Sequence, residues 1–294
     1  PTSGRTTSSG ALERMLAGSE VRQSELTDYD SLMRDGVRGE HFDAVVSCIA
    51  SRTGGIHDSR AVEYDANHNL LKAAQQAGSE CFVLLSAICV QRPRLAFQHA
   101  KLAFEAELRD AGMAWSIVRP TAFFKSLAGQ VPRIKAGKPY LIFGPGDGPA
   151  CKPISEKDVA SYIADCLQSP ALQNRILPIG GPGPAVTARE RGEILFELSG
   201  MSPRFRHLPI GMFDVAETVL GTAARVFGRL EDKAEFARIG RYYATESMLA
   251  LDAETGEYDA DATPEHGVQT LRDFYGHVLE YGLEGQELGE QALF

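Results

Sequence analysis

From Phe42 onward the chain alternates between short, almost unbroken apolar runs and longer stretches in which apolar residues recur every three or four positions. FDAVVSCIA (Phe42 to Ala50), CFVLLSA (Cys81 to Ala87) and WSIVRP (Trp115 to Pro120) are of the first kind. Their small and β-branched content suits strands covered on both faces. Ser59 to Gln76 is of the second kind: Val62, Ala66, Asn69 and Ala73 share a side, and Gly78 supplies the stop. A second such helix runs from Leu95 to Asp110 and ends at Gly112. Strand, helix, strand, helix, strand predicts an α/β fold with a parallel sheet and helices on both faces. Upstream, SEVRQSEL (Ser19 to Leu26) reads as a further strand, and DYDSLMRDG as a short helix capped by Asp28 or Asp30. Beyond Pro120 the regularity changes. GKPYLIFGPGDG reads as a glycine-rich turn region, ISEKDVASYIADCLQ as an amphipathic helix and NRILPIGGPGP as a strand running into a turn, and the chain from TARERGEILFELSG onward is mostly helical.

One residue breaks the helical pattern. Phe97, Ala100, Phe104 and Leu108 form an apolar stripe on the helix that starts at Leu95, and Lys101 lies inside it. An ammonium on a core face is costly unless it meets a partner, so Lys101 points to a ligand, or to an anionic or hydroxyl group beside the sheet. The alternative is that its head snorkels out past the helix end. Ser86 closes one strand, and Pro120 and Thr121 end the next. With Lys101 they converge on the carboxyl edge of the sheet, where open α/β folds bind ligands.

A glycine-rich pyrophosphate loop of the GxGxxG type is missing. GPGDGP at Gly144 and GGPGP at Gly180 contain prolines and open no helix, so both read as turns. The sheet is expected to lack its first strands, and a chain beginning at Pro1 inside a loop reads as N-terminally incomplete.

Charge and cysteine usage narrow the partners. A net charge of -9 and a pI near 5.4 offer no basic field for a phosphate backbone, which argues against nucleic acid. No apolar run reaches the roughly 18 residues of a membrane span, and no secretory signal is visible, so membrane contact is expected to be peripheral at most. Cys48, Cys81, Cys89, Cys151 and Cys166 are scattered without metal-ligand spacing, which predicts reduced, mostly buried thiols and no metal; Cys89, just after a strand, is placed to face a pocket. His99 falls on the far side of the helix from Phe97 and is expected at the surface, whereas Asn69 is expected to tie down strand-end backbone.

The Ser86, Lys101 and Pro120 arrangement resembles the short-chain dehydrogenase/reductase superfamily, in which a Ser, a Tyr and a Lys on these elements serve a nicotinamide cofactor. Phe97 stands where its YxxxK motif has tyrosine. The change has a chemical meaning: carbonyl reduction builds charge on an oxygen that a phenol can protonate, whereas hydride addition to a conjugated carbon–carbon bond builds it on carbon. More narrowly, LLSAICVQRPRLAFQHAKLAFEAEL, SIVRPTAFFKSLAGQV, ACKPISEKDVASYIADCL, RILPIGGPGPA and ARIGRYYATESML resemble the divinyl chlorophyllide a 8-vinyl reductases, which are atypical NADPH-dependent members of that superfamily. The resemblance runs from about Ser19 to Phe294, and the ending GLEGQELGEQALF is similar to plant and green algal members.

That resemblance implies a Rossmann-like dinucleotide-binding core over residues 1–180 and a smaller, mostly helical substrate-binding region over 181–294. It implies NADPH as cofactor, a tetrapyrrole substrate whose 8-vinyl group becomes ethyl, and a chloroplast location, with a bacterial cytoplasm as the alternative. Lys101 and Ser86 become the catalytic pair. The cofactor falls to Glu25 near the adenine, to Ile49, Ala50 and Ser51 after the next strand, to Ser86, Ala87 and Lys101 at the nicotinamide ribose, and to Pro120, Thr121 and Phe123 around the ring. Phe97, Phe124, Arg238, Arg241 and Tyr242 are the candidates for the substrate, the last three with Tyr243 as a cluster that holds a propionate and stacks on a macrocycle, or else as an ordinary helix end. GMFDVAETVLGTAARVFG either covers the pigment or is simple core, and Arg5 either reaches a ribose phosphate or is solvated. Two other functions fit the same pattern: a non-catalytic NAD(P)-sensing or scaffold protein, and an isoflavone-reductase-like enzyme acting on another conjugated bond.

Overall fold

The computed structural model describes residues 16–224 and 230–283. Strands β1 (Ala44–Ser47), β2 (Cys81–Leu85), β3 (Ala114–Pro120) and β4 (Arg175–Ile179) pair in parallel in that order. Val83 lies opposite Val46 on one side and Ser116 on the other, and Val118 faces Leu177. Side chains of β2 alternate between two cores, as a pleated strand requires. Cys81 and Val83 pack with Val159, Ile163 and Cys166 of a helix at Glu156–Gln168. Phe82 and Leu84 pack on the opposite face with Leu71, Ala74, Phe104 and Leu108. The expected parallel sheet with helices on both faces is therefore the observed fold.

The helices on the second face are α1, formed by Ile56–Asp58, Ser59–Asp65 and Ala66–Gln76 in succession, and α2, Ala96–Arg109. The Gln98 side chain starts α2 by accepting the free amides of Arg94 and Leu95 at 2.7 and 3.0 Å. Gly112, at φ +73°, turns the chain after it. The face of α1 differs from the expected one. Ser59–Asp65 is π-helical, and its wider turn rotates the phase so that Glu63, Ala66, Asn67, Leu71, Ala73 and Ala74 are buried, Ala66 and Ala73 as expected, while Val62 and Asn69 lie at the margin. Asn69 does tie down backbone, donating to Leu26 O at 3.0 Å.

Two further expectations are corrected. Ser19 to Leu26 forms no strand; it is held instead by side chains, Arg22 donating to Gly36 O at 2.8 Å and Ser31 Oγ accepting from Glu25 N at 3.1 Å, and among the described residues no strand lies beside it to supply a ladder. The glycine-rich region contains a strand, Tyr140–Phe143, paired in parallel with Phe205–Leu208, because Tyr140 and Ile142 alternate inward between the turns.

Beyond the sheet, α3 (Glu156–Gln168) is capped by Ser155, which accepts from Asp158 N at 2.9 Å, and α4 (Ala188–Ser199) by a Thr187–Glu190 capping box. Helices α5 (Gly211–Ala224), α6 (Glu231–Thr245) and α7 (Leu271–Tyr281) follow. A third core at the strand ends joins Leu95, Phe124, Tyr140 and Ile142 to Leu195, Ile239, Tyr242 and Tyr275. Residues from both sides of Gly180 thus close over the carboxyl edge of the sheet. His99 is exposed, and of the free cysteines only Cys48 is exposed.

Candidate active site

A cleft of about 360 Å³ opens at the carboxyl ends of β1, β2 and β3. Of the residues singled out in the sequence, Ala50, Ser51, Ser86, Ala87, Phe97, Lys101, Pro120, Thr121 and Phe123 all line it. Cys48 and Ala50 reach the wall while Ile49, between them, does not, since successive side chains of an extended segment point to opposite sides. A separate depression beside Lys135, Leu198 and Leu279 contains none of these groups.

Lys101 is 8% exposed, and its partner is a carboxylate of the protein itself: Nζ lies 2.7 Å from Glu63 Oε2. Glu63, 2% exposed, also accepts from Ser51 N and Ser51 Oγ, each at 2.8 Å. A second network sits beside it. Ser86 Oγ donates to Glu105 Oε1 at 2.5 Å, and Glu105 is gripped by both Arg119 nitrogens, Nε at 3.1 Å and Nη2. The expected Lys101 site thus holds two buried ion pairs, Lys101 with Glu63 and Arg119 with Glu105, and of these four residues the sequence pattern marks only the lysine. Glu105 lies four residues after Lys101 on the same stripe, a spacing that marks it in hindsight.

These groups fit a nicotinamide riboside. Ser51, Ser86 and Thr121 spend their hydroxyl protons on Glu63, Glu105 and Lys152 O, so each keeps acceptor lone pairs toward the cleft, while Lys101 has two N–H groups beyond the one on Glu63. A ribose hydroxyl can donate to the former and accept from the latter. Phe97, 9% exposed, stands one turn before Lys101 and offers ring carbons where a phenol would offer a proton.

Other expected contacts fall elsewhere. Glu25 is exposed, accepts from Thr27 Oγ1 at 2.8 Å and does not line the cleft, because its segment is coil rather than a sheet strand. Phe124 is core, 5.4 Å from the Phe274 ring. Arg238 pairs with Glu217 and Glu235, and Arg241 with Asp214 at 2.7 Å, which turns both away from the cleft. Tyr242 donates to Cys89 O at 2.8 Å and Arg92 O at 3.1 Å; its neighbour Tyr243 takes the cleft position, a rotation of one residue around α6. Desolvation raises the Cys89 thiol above its ordinary range and the Tyr243 phenol well above its own. Helix α5 has no buried residue: Phe213 packs 5.0 Å from Phe143, whereas Met212, Val215 and Val219 face outward. Arg5 and the end of the GMFDVAETVLGTAARVFG string lie outside the described residues.

Residues 5–170 match the NAD(P)H-binding family. The chain is 55% identical to the chloroplastic divinyl chlorophyllide a 8-vinyl-reductase of Cucumis sativus over 285 residues, covering 95% of this chain and 68% of that one. The Arabidopsis thaliana protein of the same name is 52% identical, with the same coverage. Among solved structures, the NADPH-dependent quinone oxidoreductase of Escherichia coli in complex with NADPH superposes with a TM-score of 0.61 at 17% identity, covering 91% of this chain and 86% of that one, a likeness of fold.

Proposed function

Because the chain belongs to the divinyl chlorophyllide a 8-vinyl reductase family, we propose that it reduces the 8-vinyl group of divinyl chlorophyllide a, or its protochlorophyllide form, to ethyl in the chloroplast. NADPH, when bound, supplies the hydride. Lys101, Ser51 and Ser86 orient the nicotinamide ribose, and Pro120, Thr121 and Phe123 wall the ring. Glu63 fixes the ammonium of Lys101 in place before any ligand arrives, so its N–H groups point where the sugar lies rather than sampling the many rotamers of a free lysine.

The observation that carries the reading is Phe97. At the cleft wall one turn before Lys101, a carbonyl reductase needs an acid; a ring of carbon suits a reaction whose charge spreads over a conjugated macrocycle. The proton that completes the ethyl group goes to carbon and can come from water in the open cleft or from the Tyr243 phenol at its wall.

Incubation of the protein with divinyl chlorophyllide a and NADPH, followed by absorption, tests this directly. A blue shift of the Soret band is expected. No shift in a protein that binds NADPH tightly would end the proposal.

A further inference from the structure

Four charged side chains line the cleft among the described residues: Glu63, Lys101, Arg191 and Glu246. Three are matched by the protein. Lys101 and Glu63 hold each other, and Glu246 meets Arg94 at 3.0 Å, Arg92 at 3.6 Å and the Tyr258 hydroxyl at 2.8 Å. Arg191 has no carboxylate within ion-pair distance among the described residues, and its Nε is shielded from water without a hydrogen-bond partner. Its guanidinium hydrogen-bonds the Tyr140 phenol, with Cys151 and Tyr275 nearby, all neutral groups that supply no countercharge. A cation so placed is expensive unless an anion joins it.

Its position on α4 sharpens the point. Arg191 sits in the first turn, where the partial positive charge of the helix N-terminus disfavours a cation and the neighbouring Glu190 is already spent on the cap. Nothing in the helix itself explains it. The residue also lies beyond the stretch that matches the NAD(P)H-binding family, 5–170, and lines the cleft together with Tyr140, Leu141, Phe143 and Ala188. In open α/β sheets the pyrophosphate is held at the first βα turn, which the start of α4 is not, so this position falls to the second ligand. An arginine with planar, paired donors among aromatic and aliphatic surface is suited to a carboxylate at the edge of a flat apolar molecule.

We propose that Arg191 binds the propionate carboxylate of the chlorophyllide, and so selects the free pigment acid over its esters. The inference rests on the substrate class named above and deepens it. Affinities of the wild-type protein and of Arg191→Gln and Arg191→Lys for monovinyl chlorophyllide a and for its methyl ester, read from pigment fluorescence, provide the test, with NADPH affinity measured in parallel. The wild type is expected to prefer the acid by about tenfold or more, the scale of one charge-assisted hydrogen bond. Arg191→Gln should erase that preference by weakening the acid alone, Arg191→Lys should keep part of it, and NADPH binding should stay within about twofold, since such sheets hold the pyrophosphate at the first βα turn and not at a helix placed like α4.

Equal affinity of the wild type for acid and ester would overturn the assignment, whatever the variants do. So would an equal loss for both pigments in Arg191→Gln, the mark of a merely structural residue, or a loss confined to NADPH. Because binding and not turnover is read, a protein that prefers the acid yet shows no Soret shift would sink the reaction and leave this site standing.

Discussion

Taking the ammonium away from Lys101 leaves Glu63, 2% exposed, with only Ser51 to satisfy it. Breaking one side of a buried pair costs about 3–5 kcal/mol, whereas removing both charges together is often nearly neutral. Lys101→Met should therefore lower the urea midpoint sharply, and the double variant Lys101→Met with Glu63→Gln should recover much of the loss. The double variant should still bind NADPH poorly. Equal stability of single and double variants would show that the pair is not coupled. A second residue carries a pH dependence. Burial raises the Cys166 thiol from 9.0 to about 11, so the folded protein holds a proton that the unfolded chain has released. That contribution is complete below pH 9.0 and is lost as pH climbs toward about 11. Unfolding free energies measured against pH should fall more steeply over that window in the wild type than in Cys166→Ala.

At the scale of elements, the chain leaving β4 crosses the segment that ends in Ile154, with Gly181 N donating to Lys152 O at 3.3 Å. A Cβ on Gly181 would sit 2.0 Å from the Pro153 carbonyl oxygen, a backbone atom with no freedom to move aside. Gly181→Ala is expected to cost about 1–3 kcal/mol, the range for overpacking a tight site, with a visible fall in the thermal midpoint; an unchanged midpoint would contradict the packing described. The GGPGP string was legible as a turn, yet not as this contact, because the partner lies in another segment. The same limit runs through the other elements. The β2 and β3 runs and the stripe of α2 were readable because each repeats its own period. Glu63 was not, since a π-helical stretch rotated α1 and a charge on a helix reads as solvated until a lysine from another helix faces it. Glu105 was hidden for the same reason, its partner Arg119 being on β3. SEVRQSEL carries strand composition without a neighbour to bond, and of the adjacent Tyr242 and Tyr243 in the expected cluster only Tyr243 meets the cleft, because one position around a helix decides which side chain faces it.

Over the whole molecule, the core at the strand ends mixes Leu95, Phe124 and Tyr140 with Leu195, Ile239 and Tyr275, so neither side of Gly180 can expose its half without exposing the other's. Heat should unfold the chain in one transition whose calorimetric and van't Hoff enthalpies agree; two separate peaks would mean that the cluster does not couple them. NADPH at a hundred times its dissociation constant should raise that single transition by the equivalent of about 2.7 kcal/mol. The cleft carries the consequence further. Its walls are drawn from segments spread between Cys48 and Met248, so a molecule lodged there works like the keystone of an arch. Every wall segment leans on it, and losing it loosens stretches far apart in the chain at one stroke.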